Sequence, residues 1–514
     1  MFQRRAFKSI AALSITALCA TACASGGGSE ATEDRTFRYA SSFAPVNLDP
    51  QLGSADYADL PFLWPVYDRL TYINEDGVVE PQLAESWELA PDGSTFTLHL
   101  RDGVTFSDGA ILNAEAVKAN LERGINEARA ATFEQLARTV SNIVVVDDLT
   151  VRLDLTGPGG PLPFLLGDRA GIIVSPDALN NPDLDQHPVG AGAFELVNST
   201  PGSSYTYERR DDYWNDDEYK FQRLEVTVQT EDATRLNAVR SGQQDATRIR
   251  ESQVDEAEAA GLDIHSRPGL SFYSFTMNTK RSKLGDKRVR QALSLAMDRD
   301  SIDDGVFGGR CPSTAQPFPA DYFAHSDDPA IQNDWGEYDA DRARTLLAEA
   351  GLADGLEFTA VVPNVTAYQT LAQVLKEQFA QIGITMNLEV IDAAQVGTQF
   401  ASGEVDAVIG SWAGGVDPSV YAGAYYLGGP SNPGGATTDE IRQLNDAANF
   451  STDLDERSKA YADLLSAVYD FGPHDLPICS SGRYTAARSG IEGLKSYLTT
   501  GTWEFRDVTL TSQN

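Results

Sequence analysis

The sequence predicts an α/β fold, and three stretches carry that expectation. Leu356 to Val362 and Ile384 to Ile391 read as strands flanking a helix from Thr366 to Ile382. That helix carries Leu371, Val374, Leu375, Phe379 and Ile382 at i+3/i+4 spacing, and Gly383 closes it. A right-handed crossover between parallel strands is the usual outcome of such a unit. Val78 to Phe106 alternates in a strand-like way, with Phe96, Leu98 and Leu100 on one face. Turns are supplied there by Pro91-Asp92-Gly93 and Ser107-Asp108-Gly109. Beyond Gly190, Tyr205 to Glu208 and Leu224 to Thr230 read as strands again.

The remaining elements follow in chain order. A strand at Thr36 to Tyr39 opens the body. A helix over Asn113 to Gly124 has Asn113 as its cap and Val117 and Leu121 on one face. Ile143 to Val146 and Thr150 to Leu155 are two strands joined at Asp147-Asp148, so 70–187 reads as a small mixed lobe. The helix after Glu231 carries Leu236 and Val239 and stops near Gly242. No internal repeat appears.

A chain of 514 residues is too long for one core, and roughly 100–200 residues per domain gives about three lobes. The formal charge of -35 argues against nucleic acid, whose phosphates would be repelled. Solvation of an acidic surface explains that charge most simply; attraction of cations is the other reading.

Arg4, Arg5 and Lys8 make a basic start, and Ile10 to Ala22 is an apolar stretch shorter than the ~20 residues a spanning helix needs. It ends in Ala20-Thr21-Ala22-Cys23, then Ala24, Ser25 and three glycines. This resembles a bacterial lipoprotein signal, with Ala20 standing where the pattern prefers Leu. The resemblance implies a signal peptide over 1–22, a lipid on the Cys23 thiol, and a flexible tether over 23–35. The alternative is an ordinary signal cleaved nearby that leaves Cys23 a free thiol. Arg4-Arg5-Ala6-Phe7-Lys8 reads equally as a twin-arginine export signal or a plain basic segment.

Cys19 leaves with the signal, so Cys311 and Cys479 remain for the body. Two thiols in an exported protein can pair, closing a long loop worth ~4–5 kcal/mol in the chain-entropy model. Two separate buried thiols are the other reading. No Cys-x-x-Cys pair exists, and the familiar zinc, nucleophile-elbow and phosphate-loop motifs are absent. The five histidines are not spaced to share a helix face, so no cofactor, metal or catalytic group is expected. Gly410-Ser411-Trp412-Ala413-Gly414-Gly415-Val416-Asp417-Pro418 is the most pointed stretch. A Trp beside two glycines lets bare backbone approach a ligand under an aromatic wall; a tight turn with a core Trp is the plainer reading.

Ten segments in a fixed order resemble the extracellular solute-binding proteins of peptide/nickel-type ABC importers (family 5). They include Leu48-Asp49-Pro50, Tyr67-Asp68-Arg69-Leu70, Pro81 to Trp87, Leu100 to Gly109 and Val189 to Phe194. Asp212-Tyr213-Trp214, Arg288 to Leu293, Ala296 to Arg299, Leu346 to Gly351 and Trp412 to Pro418 complete them. The resemblance implies a bilobal periplasmic-binding-protein fold (class II, cluster C type) with an extra domain in the N-terminal lobe. Lobe I would comprise 36–69, 188–272 and 486–514, with 70–187 appended, and lobe II 273–485.

It further implies a monomeric receptor, not an enzyme, that closes on a peptide or peptide-like solute and hands it to an ABC permease served by separate ATPase subunits. The lipid would hold it at the extracytoplasmic face of the cell membrane. Ser54, Ala55, Asp56 and Tyr57 are expected on one cleft wall, Trp412, Ala413, Gly414, Gly415 and Asp417 on the other, and Tyr273 beside them. Peptide-binding members carry an Asp three residues after the Trp to pair with the peptide ammonium; this chain has Gly415 there, in a loop one residue shorter. A non-peptide solute such as an oligosaccharide or metal chelate is therefore the alternative ligand. A secreted hydrolase, or a receptor-fold lipoprotein for signalling or adhesion, are the competing functions.

Overall fold

Thr36–Ser41 forms β1, whose Phe37 and Tyr39 are fully buried at the centre of one half of the molecule. The structure is a computed structural model that describes residues 36–53, 56–128, 130–499 and 504–511, with the backbone alone at Asp56, Tyr57 and Ala131. The expected signal (1–22), tether (23–35) and lipid site Cys23 lie outside the described residues, as do Ser54 and Ala55.

A short hairpin, β2 (Thr71–Ile73) and β3 (Val79–Pro81), leads into an antiparallel sheet of β4 (Ala84–Leu89), β5 (Thr95–Leu100), β6 (Val140–Asp147) and β7 (Thr150–Leu155) in the order β4-β5-β7-β6. Phe96, Leu98 and Leu100 bury on one face, as their alternation predicts. The helix Ala114–Glu127 lays Val117 and Leu121 into the same cluster. Its cap is Asn113, whose side chain accepts from Ala116 N at 2.9 Å.

The main sheet adds β8 (Phe194–Thr200), β9 (Ser204–Arg209), β10 (Arg223–Val228), β11 (Ala246–Ile249), β12 (Asp263–Met277), β13 (Leu356–Pro363), β14 (Ile384–Ile391), β15 (Ala407–Trp412) and β16 (Asp475–Ala487) to β1. Its order is β14-β13-β15-β12-β16-β11-β1-β10-β9-β8. The predicted strand–helix–strand unit is present: β13 and β14 pair in parallel from Leu356↔Ile384 to Pro363↔Ile391, around the helix Thr366–Ala380. Gly383 follows that helix at φ +87°, a conformation that favours glycine.

Two strands tie this sheet together. β12 and β16 are long, and their antiparallel pairing runs from Asp263↔Ala487 to Thr276↔Asp475. The first part of β12 and the last part of β16 serve the β11-β1-β10 side, while their other parts serve the β15-β13-β14 side. The ladder breaks between Pro268 and Phe272, where Gly269, Leu270 and Ser271 stand opposite the single residue Ser481.

The buried side chains fall into separate clusters: around Phe275 and Phe379 by β13–β15, around Phe37 and Phe221 by β1 and β10, and around Phe96 and Leu153 in the four-stranded sheet. The C-terminal segment returns to β1, where Phe505 meets Phe37 and Tyr39 with ring centroids 5.1 and 5.2 Å apart.

Cys311 and Cys479 are joined by a disulfide that fastens the segment after Gly309 to β16. Thr314 N donates to Ile478 O and Ser480 N to Pro312 O beside it. Replacing both cysteines by serine should lower unfolding stability by about 2–4 kcal/mol, less than the chain-entropy maximum. Urea unfolding of the non-reduced protein checks this, and an unchanged midpoint would contradict it.

Candidate functional site

Strand direction locates the site. β1, β10 and β11 are mutually parallel, and β13, β14 and β15 are mutually parallel. β11 ends at Ile249, opposite Tyr484, which in turn faces Ser266 of β12. β15 runs the other way and ends at Trp412, opposite Phe272. The carboxyl ends of both parallel sets therefore point at the same break in β12, from Arg267 to Ser271. Ligands in open α/β sheets sit beyond the carboxyl ends of strands, and here two such ends face each other.

The loop after β15 lines this break. Trp412 is half-buried, and its ring meets Tyr421 and Tyr425 edge-on at 5.5 and 5.9 Å. Ala413 is exposed, and its carbonyl accepts from Ser271 Oγ at 2.8 Å and Arg483 Nη2 at 3.0 Å. Gly414 has φ +92°, and a Cβ there would lie 3.2 Å from Thr499 O. Bare backbone is thus brought against β12 and Thr499, and a side chain at this position would be strained.

Asp417, expected on the cleft wall, is instead sealed inside. Its carboxylate pairs with Arg457 at 2.8 Å, with both side chains 0% exposed. It also caps the short helix Pro418–Tyr421 by accepting from Ser419 N. Arg457 donates in addition to Gly160 O and Ala448 O and lies near the rings of Phe164 and Phe323. Burial works against the Arg457 charge, and the Asp417 carboxylate more than restores it, so its pKa is raised. A carboxylate so buried and paired lies out of a solute's reach.

Tyr273 and Trp412 do not share a surface. Trp412 pairs with Phe272 and Tyr273 with Ser411, so strand alternation sends the two side chains to opposite faces. The Tyr273 ring stacks on Phe307 at 4.7 Å and meets Tyr368 at 5.4 Å, and burial pushes its phenol up to about 12. Tyr368 and Ser411 bridge hydroxyl to hydroxyl at 2.7 Å on that face. Of the N-terminal wall, Asp56 begins the helix Asp56–Leu63, followed by Tyr57; their side chains are outside the described set, as are Ser54 and Ala55 altogether.

Sequence reasoning missed the charged residues at the break. Arg483 lies across from Arg267, and Arg248 lies across from Thr485 on the same strand as Arg483. Burial lowers each guanidinium to about 10, and in Arg248 the neighbouring Arg483 charge adds to it. Glu251, just beyond the end of β11, is pushed up to about 7 by burial and by Asp303. A cavity of about 540 Å³ adjoins the break, lined in part by Pro268, Phe318, Asp321 and Ser480. Among the described residues no cluster of His, Cys, Asp or Glu could hold a metal, and no helix is long and apolar enough to cross a membrane.

With this geometry in hand, comparison with known proteins is decisive. Residues 78–434 match the bacterial extracellular solute-binding proteins, family 5 (middle region). The chain belongs to that family. It is 31% identical over 335 residues to the glutathione-binding protein GsiB of Salmonella typhi, a match spanning 64% of each chain. It is 26% identical over 507 residues, 90% of each chain, to heme-binding protein A of Haemophilus influenzae. Among solved structures, HbpA2 of Haemophilus parasuis superposes with a TM-score of 0.84 at 24% identity, covering 93% of this chain and 100% of that one. The architecture described above is therefore the mixed α/β fold of periplasmic binding proteins.

Two predictions follow from the loop's supports. Arg457→Ala strands a buried carboxylate and should cost about 3–5 kcal/mol in urea unfolding; a loss within ordinary surface values would mean the pair is not buried in solution. Asp475, which accepts from Thr276 Oγ1 and from Tyr421 Oη at 2.7 Å, is pushed up to about 6 by burial. A raised carboxyl pKa stabilises the fold below its unfolded value, and that contribution is lost as pH rises through about 6. Asp475→Asn should therefore gain on the native protein by up to about 3 kcal/mol between about pH 4 and about pH 7. Melting temperatures of both proteins across that range check it; parallel curves would contradict it.

Proposed function

We propose that this family 5 protein is the solute receptor of an ABC importer, taking up a peptide or peptide-like compound at the break in β12 and releasing it chemically unchanged to a permease. The observation that carries this reading is the convergence of two sets of strand ends on one short stretch of β12. Strands shared by both halves let the halves pivot about Gly269–Ser271, and a solute held between them selects the closed arrangement. ATP would be hydrolysed by separate subunits. A lipid on Cys23 would keep the receptor beside its permease at the extracytoplasmic face, raising their encounter rate.

The ligand set would comprise Ser54, Ala55, Asp56 and Tyr57 on one wall and Trp412 to Gly415 on the other; Tyr273, on the opposite face of β12, is left out of it. Trp412 supplies an aromatic surface, and Gly414 and Gly415 supply backbone donors and acceptors. Asp417 is not in this set, because Arg457 occupies it. With Gly415 three residues after Trp412, the loop offers no carboxylate to a peptide ammonium. Relatives named for binding glutathione and heme support a reading in which the solute need not be an ordinary peptide.

Native mass spectrometry of gently purified protein should reveal a co-purifying solute, and that solute should raise the melting temperature when added back. Trp412→Ala should weaken its binding about tenfold, or about 1.4 kcal/mol, while the protein still folds. Unchanged affinity would remove Trp412 from the site, and a chemically altered solute would overturn the receptor reading. Cys23→Ser should release the protein from the membrane fraction; retention would show that the anchor lies elsewhere.

A further inference from the structure

Arg483 stands where β12, β16 and the Trp412 loop meet. Its Nη2 donates to Ala413 O at 3.0 Å, in the loop, and to Ser271 Oγ at 3.2 Å, in the surplus stretch of β12. The Ser271 hydroxyl donates in turn to Ala413 O at 2.8 Å. Two donors, one from each long strand, thus converge on the carbonyl of an exposed residue.

Both oxygens that Arg483 meets here are neutral, and such bonds leave a guanidinium its charge. Burial pushes Arg483 down to about 10, so it is still protonated at neutral pH. Arg248 adds a second charge on the same face. It pairs with Thr485, two residues from Arg483 along β16, and side chains two apart in a strand point the same way. Arg267, directly opposite Arg483, shares that face as well, but Asp76 at 2.7 Å and Asp321 at 2.6 Å engage its guanidinium.

The loop brings no acid of its own to this place. Gly415 stands three residues after Trp412, and Asp417 is sealed against Arg457. Glu251, beyond the end of β11, acts on Tyr484, which strand alternation sends to the other face from Arg483. Gly414 and Gly415 are partly exposed, and among the described residues their N–H groups have no acceptor. A buried or half-buried N–H seeks an acceptor, and a negatively charged one binds most strongly.

We propose that the Trp412 loop receives a carboxylate of the solute, held by the Gly414 and Gly415 N–H groups in the field of Arg483 and Arg248. The solute is then an acidic, peptide-like compound that binds without a free ammonium. This polarity is the reverse of an ammonium held by an acid of the loop, and an ammonium brought here would meet two like charges. The assignment rests on the receptor reading above and adds which end of the solute the loop takes.

Three mixtures of tripeptides with neutral side chains test the polarity: both ends free, amino end acetylated, and carboxyl end amidated with the amino end free. Each is offered to the intact protein freed of co-purified solute, and retained peptides are measured by mass spectrometry after gel filtration. Acetylated acids should be retained as well as free peptides, and both about tenfold better than the amides. Arg483→Gln should bring acids and amides close to equal with amide retention unchanged, and Arg483→Lys, which keeps the charge, should restore most of the preference. If Arg483→Gln fails to fold, the three mixtures on the native protein decide. Amides retained as well as acids, binding lost on acetylation, or a preference that survives Arg483→Gln would overturn the assignment and leave the receptor reading standing. Equal loss of all three mixtures in Arg483→Gln would make Arg483 a brace for the loop and overturn it too. No retention of any mixture by the native protein would overturn it together with the peptide reading.

Discussion

The ion pair between Arg457 and Asp417 is the contact on which the rest of the site depends. It lies where the loop after β15, the helix Leu454–Phe471 and the segment around Gly160 meet, and water reaches neither partner. An unpaired charge in such a place would be intolerable, so each of the three elements is held to the position the pair demands. The Trp412 loop inherits that rigidity. Its ring rests on Tyr421 and Tyr425, Tyr421 is held by Asp475, and Val416 enters the cluster of the four-stranded sheet. The loop is thereby kept in one shape, so that little ordering would be left to be done if it meets a solute as proposed.

Around this fixed loop the remaining architecture is permissive. β12 and β16 carry the only main-sheet connection between the two parallel strand sets among the described residues. Their ladder is regular from Asp263 to Pro268, is interrupted before Phe272, and shifts again between Tyr273 and Ser274. The half-buried Arg248 and Arg483 and the carboxyl of Glu251 lie beside that interruption, where low dielectric and partial hydration make charge expensive but not forbidden. Rigid walls with a pliable, electrically loaded base suit a receptor whose work is capture and release.

Much of this was legible in the chain and some was not. Leu371, Leu375 and Phe379 announce their helix because burial on one side of a helix imposes its period, and Asn113 marks a helix start because its side chain can take up a free backbone N–H. The Trp412 glycine stretch was visible as a place of unusual backbone. β12 and β16 were not, since Pro268, Gly269 and Gly482 read as interruptions, and pairing at long separation leaves no local period. Asp417 was misassigned for a related reason: an acidic residue before Pro looks available until Arg457, forty residues on, is folded against it. Arg248, Arg483 and Glu251 gave no signal at all in a chain with 75 acidic and 40 basic residues. Only the meeting of strand ends makes them neighbours.

The surplus length of β12 has a mechanical consequence. With Gly269, Leu270 and Ser271 facing the lone Ser481, β12 carries slack here, and β16 carries one extra residue, Ile478, a little further along. A ladder matched residue for residue would behave as a stiff plate, and swinging its ends would tear hydrogen bonds. The slack acts instead like a pleat in cloth, opening and folding while the seams on either side stay sewn. What a lineage must preserve there is the count of residues along with the buried Leu270 and the Ser271 hydroxyl, so deletions at this pleat should be purged.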